Sequence, residues 1–189
     1  FLDAFLRNTD NPVDGSVNVD YPFQGGAYFD VMGFHSYPHF DGTTKYWDSE
    51  TNQFAYERHS DAAANGVLRV RNNMQGILEK YGYDSDQYPE KLWTITEINI
   101  PRRNFNDFIG GDEAQCNFMM KAYVNCAVND FIQMHVYSLG EQLFEEAASY
   151  EFDLMGLYKR LRGTAPMSHE QTNAGIGYQT TSELLYGTT

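Results

Sequence analysis

Lys91-Leu92-Trp93-Thr94-Ile95-Thr96-Glu97-Ile98-Asn99 reads as a short buried strand that ends in a carboxylate. Leu92, Trp93, Ile95 and Ile98 are apolar, and a run this short, rich in β-branched and aromatic residues, favours strand over helix. A glutamate inside such a strand is costly unless it is paired or put to use. Two other stretches share the grammar: Phe29–Tyr37, which closes on His35-Ser36-Tyr37, and Phe131–Tyr137, which closes on His135-Val136-Tyr137. Three strands that each turn polar at the C-terminal end point to one pocket.

The segments between them carry helical spacing. Ser60–Tyr81 offers Val67, Val70, Met74, Ile77, Leu78 and Tyr81 to one buried face, with Gly82 placed to end the helix. Asp112–Asn129 does the same with Phe118, Ala122 and Cys126, and Asn173–Tyr186 has Tyr178, Leu184 and Leu185 to bury. Phe1–Leu6 looks like the tail of a helix. Asn8–Gly26 reads as a loop, His39–Glu57 as a long aromatic loop, and Ser138–Gln171 as irregular chain with an apolar patch at Phe152, Leu154, Met155, Leu157 and Tyr158. Strands alternating with helices of this length make parallel βαβ units, the material of a (β/α) barrel or a doubly wound sheet. No glycine-rich nucleotide fingerprint or P-loop occurs.

The 189 residues suit a single domain, and a net charge of −13 argues against nucleic acid or an anionic membrane surface as partner. No apolar run approaches the roughly 18 residues needed to span a bilayer. Cys116 and Cys126, ten residues apart on one helix, would sit about 15 Å apart, too far for a mutual disulfide. They are expected as buried thiols, unless one pairs with sequence outside the chain. No Asn-x-Ser/Thr acceptor marks the compartment; a secreted or extracellular setting is the expectation. The chain opens on Phe1, so a processed product or a segment of a longer protein is expected.

Side-chain parity places His35 with Tyr37, Gln133 with His135 and Tyr137, and Glu97 with Trp93 and Ile95. With those faces turned inward, Glu97 is flanked by tyrosines and histidines whose hydrogen bonds keep a carboxylate ionised. Such a glutamate is a suitable nucleophile. Blander readings stand beside this one. Glu97 could pair with Arg102 or Arg103, His35 and His135 could be satisfied core histidines, and Asp30 belongs to a salt bridge. Trp47, Tyr46 and Phe54 could line a cleft or pack a loop. His35, His39, His59 and Glu97 lack metal-ligand spacing, so neither a metal nor a cofactor is expected.

Phe34-His35-Ser36-Tyr37-Pro38, then Thr96-Glu97 closing a strand, then a Tyr-bearing strand with a closing loop and helix, resemble the C-terminal half of the clan A glycoside hydrolases. The closest look is to the β-xylosidase, iduronidase and cellulase-like groups. The resemblance implies that residues 1–189 are about strands six to eight of a (β/α)8 TIM barrel that hydrolyses a β-linked glycan with retention. It makes Glu97 the nucleophile and gives His35 and Tyr37 the task of holding the nucleophile and the sugar. Tyr137, His135, Trp47 and Asn99 complete the expected sugar-binding set.

Two departures matter. The family's acid/base glutamate follows an Asn on strand four, and no Asn-Glu dipeptide occurs here, so that group is expected outside the chain. The family's strand-eight Trp is replaced by Tyr137. Retention needs two carboxyls about 5–5.5 Å apart, and the chain's own candidate for the second is Glu141. Three parallel strands would also leave bare edges and an uncovered apolar face. The remaining strands are therefore expected from the same protein or from another chain. The alternative function is an inactive barrel serving as an extracellular structural or glycan-binding module.

Overall fold

The computed structural model describes residues 1–10, 19–38, 45–56, 60–105, 108–161 and 170–187. His39 and His59, weighed above, lie outside the described residues. The elements run α1 (Leu2–Thr9), β1 (Val31–Ser36), β2 (Lys45–Asp48), β3 (Gln53–Tyr56), α2 (Ser60–Glu79), β4 (Leu92–Ile98), α3 (Asp112–Val128), β5 (Phe131–Val136) and α4 (Asn173–Leu185). The fold is α/β. β1, β4 and β5 form a parallel three-stranded sheet in the order β1-β4-β5, so the stretch around Glu97 is its central strand.

The helices cover one face of that sheet. Trp93, Ile95 and Ile98 point into it and meet Ala63, Val67 and Leu78 of α2 and Phe118, Ala122 and Cys126 of α3 in one apolar core. Phe34 stands edge-on to Trp93 and Phe131, with ring centroids 6.3 and 6.1 Å away. On the other face Val31 and Leu92 are 39% and 49% exposed, and Gly33, His35 and Thr96 are exposed as well. Parallel sheets are ordinarily covered on both sides. This one is open.

Three expectations need correcting. The long loop at residues 39–57 contains an antiparallel hairpin, β2–β3, in which Trp47 and Phe54 are directly paired with centroids 5.2 Å apart. Two rings facing across strands stabilise a hairpin that the alternation of so short a segment does not announce. In α2, Val70 is exposed and Ala62, Ala63 and Ala64 are buried in its place. In α4, Leu184 is 73% exposed, and the buried face is Ala174, Gly175, Gly177 and Thr181. Small residues let α4 lie close on its neighbours: a side chain at Gly175 would strike the Leu157 carbonyl, and one at Gly177 would strike Cys116. The Gly82 expectation holds, with φ +84° closing α2.

Candidate functional site

Glu97 reaches the open face because β4 carries a bulge. Phe34 pairs with Ile95 but His35 pairs with Glu97, and Ile95 pairs with Met134 while Ile98 pairs with Val136. Both neighbours thus skip one β4 residue between Ile95 and Ile98. Strict alternation puts Glu97 with Trp93 and Ile95, against the helices. The extra residue turns it instead toward the side of His35, and its side chain is 38% exposed. Re-aiming one side chain is what a bulge does.

The carboxylate is met there by two groups from the end of β1. The Tyr37 hydroxyl donates to Glu97 Oε2, and His35 Nδ1 stands 3.4 Å from the same oxygen. Burial, then the Glu97 carboxylate, holds the Tyr37 phenol well above the ordinary tyrosine range, so it stays a donor.

Tyr37 belongs to a wall of rings. It stands edge-on to Tyr137 at 6.0 Å and to Phe152 at 4.8 Å, and Tyr137 and Phe152 are 5.7 Å apart. The Tyr137 hydroxyl accepts from Gln142 Nε2 at 3.0 Å. The Tyr137–Ser138 peptide is cis. Phe152 joins the site from the irregular segment after β5. Its place in an apolar patch was the only signal in the sequence, and that signal does not say which ring it meets.

The other expected residues divide. His135 is exposed, with Nε2 3.2 Å from Gln133 Oε1 one step away on the same strand face. Trp47 is 54% exposed on the hairpin, in contact with Phe54. Asn99 is fully buried and so is not a surface group awaiting a sugar. Its Nδ2 donates to the carbonyls of Tyr137 (2.6 Å) and Met155 (2.7 Å), and its Oδ1 accepts from Ile100 N at 2.8 Å and Gln115 Nε2 at 3.4 Å.

Arg102 and Arg103 are committed elsewhere. The Arg102 guanidinium forks onto both oxygens of Glu141 and bonds Glu145 Oε2 at 2.6 Å, with side chains 4% and 1% exposed for Arg102 and Glu141. Burial pulls the guanidinium down, but Glu141 and Glu145 outweigh it and hold it above its ordinary value. Arg103 donates to the carbonyls of Glu145 and Ala148. The pairing of Glu97 with an arginine is therefore not what the structure shows, and Glu141 serves Arg102 rather than standing opposite Glu97. Nothing local in the sequence marks the Arg102–Glu141 pair, whose members are 39 residues apart.

A groove of about 610 Å³ runs along the outer edge of β5, lined by residues that include Phe131, Gln133, Tyr123 and Tyr178, and it does not include Glu97. Among the described residues no group of three or more His, Cys, Asp or Glu is placed to hold a metal ion, and no helix is long and apolar enough to cross a membrane. No protein-family model and no curated protein matches the chain.

Proposed function

We propose that this chain carries the nucleophile half of a retaining glycoside hydrolase acting on a β-linked glycan. The observation that supports it is a single cluster: a half-exposed glutamate at the C-terminal end of a parallel strand, held by the Tyr37 hydroxyl with His35 beside it. Hydrogen bonds of this kind favour the ionised carboxylate. Glu97 then attacks the anomeric carbon, forming a glycosyl ester as the bond to the leaving oxygen breaks. A carboxylic acid from outside the described residues protonates that oxygen, and later takes a proton from the water that cleaves the ester. Tyr37, Tyr137 and Phe152 supply the apolar wall on which a sugar face packs, and His35, His135 and Trp47 lie on exposed surface suited to polar contacts with a glycan.

In this reading the three parallel strands are about strands six to eight of a (β/α)8 barrel. The rest of the barrel, from the same polypeptide or another chain, covers the open face and brings the acid/base glutamate, in a secreted or extracellular protein. A second reading, a glycan-binding barrel without catalysis, is favoured by the fate of Glu141, which is locked to Arg102 instead of facing Glu97. Incubating the polypeptide that contains this chain with activated 2-fluoro-glycosides, followed by peptide mass spectrometry, separates the two. Hydrolysis predicts a fluoro-sugar ester on Glu97; glycan binding without catalysis predicts retention on a glycan column and no ester.

A further inference from the structure

The strand end that carries Glu97 and the ring wall beside it form a closed circuit. Glu97 accepts from the Tyr37 hydroxyl, the Tyr37 ring stands against Tyr137, and the Tyr137 carbonyl accepts from Asn99, which is two residues beyond Glu97 on the same chain. Asn99 Nδ2 also bonds the Met155 carbonyl, in the segment that brings Phe152 against both tyrosines. Both donors and both acceptor positions of the amide are in use, in a fully buried setting. Further backbone bonds lock the same three segments: Tyr137 N to Ile98 O (3.1 Å), Arg102 N to Leu154 O (3.1 Å) and Ser138 N to Met155 O (2.8 Å).

We infer that Asn99 is a positioning residue: its amide sets where the Tyr137 and Phe152 rings stand, and through them holds the Tyr37 hydroxyl on Glu97. This deepens the glycosidase reading and rests on it for its purpose, but the circuit itself is testable without a substrate. The physical case lies in the two carbonyls. Tyr137 O and Met155 O come from different segments, and a single planar amide with two N–H groups fixes the distance between them. A residue with one donor can serve only one of them. The other carbonyl then loses its donor, and the ring that its segment packs on Tyr37 is held in place by the backbone bonds alone.

The rings report the geometry, because Tyr37 stands edge-on to Tyr137 at 6.0 Å and to Phe152 at 4.8 Å. Nuclear Overhauser effects from the Tyr37 ring to the Tyr137 and Phe152 rings, assigned against the Tyr37→Leu variant, measure it without a substrate. In Asn99→Ser at least one of the two contacts is expected to weaken or vanish. Val67→Ala, a cavity in the helical layer at a fully buried position, lowers the melting temperature and leaves both contacts alone. Should Asn99→Ser fail to fold, Asn99→Asp keeps the oxygen that Ile100 N and Gln115 Nε2 bond and removes the amide donors, and the same loss is expected. Unchanged ring contacts in a folded Asn99→Ser or Asn99→Asp protein overturn the inference. Fluoro-sugar labelling is a separate readout: its absence, with the ring contacts responding as expected, defeats the glycosidase reading and leaves the circuit standing.

Discussion

The Tyr37 hydroxyl donates to Glu97 Oε2 across 60 residues of sequence, from the end of one parallel strand to the end of its neighbour. The bond exists because of two local features. β1 ends at Ser36, so Tyr37 is the first residue free of the ladder, and the β4 bulge turns Glu97 toward it. A hydrogen bond to an ionised acceptor contributes about 1.5–3 kcal/mol. Replacing Tyr37 with Phe removes that donor and keeps the ring in the wall. The variant is then expected to lose about 1 kcal/mol of stability, below that range because the Glu97 side chain is 38% exposed and solvent screens the bond, read by urea denaturation. An unchanged urea midpoint would show that the bond does not stabilise the folded protein.

Arg102 and Glu141 make a different kind of prediction. Removing one member of a buried pair leaves an uncompensated charge, at a cost of about 3–5 kcal/mol, whereas replacing both by apolar residues is often neutral. Arg102→Met is expected to lose stability on that scale, because the Glu141 side chain is 1% exposed. Arg102→Met/Glu141→Leu is expected to recover most of it. Glu145, whose side chain is 47% exposed, stays in water either way. Urea denaturation of the three proteins decides. Equal losses in the single and double variants would contradict a paired, buried bridge.

The alkaline limb of stability follows in part from two phenols, the half-buried Tyr37 and the buried Tyr83. Tyr37 is held above its ordinary value by burial and by Glu97, and Tyr83 by burial and by Asp10, to which it donates at 2.7 Å. Both keep their protons in the folded state at pH values where the unfolded chain loses them, so their contribution is complete below pH about 10 and falls as pH rises beyond it. The urea midpoint is expected to begin falling near pH about 8.5, where the unfolded chain's thiols ionise and the buried Cys126 thiol, pushed up to about 12, does not. It is expected to fall more steeply above pH about 10, with a shallower drop there in Tyr37→Phe/Tyr83→Phe. A drop of equal steepness in that double variant would place the effect elsewhere.

Much of the scaffold was legible because its signals are local. Trp93, Ile95 and Ile98 announce a buried strand, Gly82 ends α2 where an αL residue is needed, and the three parallel strands fall within two residues of their expected ends. The site was legible only in composition. The residue types are plain, but a period of two cannot foresee a bulge: it puts Glu97 on the face of Trp93, and the glutamate reaches His35 through a residue that breaks the count. Asn99 departs from its expected role for a related reason. A polar residue near a carboxylate looks like a ligand contact until burial shows that two carbonyls from distant segments already occupy it. Likewise, the packing of α4 rests on Gly175 and Gly177, whose value lies in the side chain they lack, and a search for large apolar residues selects Leu184 instead.

The central claim is that Glu97 is a nucleophile, and trapping it covalently is the most direct test. The polypeptide that contains this chain, treated with an activated 2-fluoro-glycoside of a β-linked sugar and digested, is expected to yield one modified peptide with the label on Glu97. Glu97→Gln is expected to abolish that label while the protein still folds. A label on a different carboxylate, or an unchanged yield of labelled peptide from Glu97→Gln, would contradict the account.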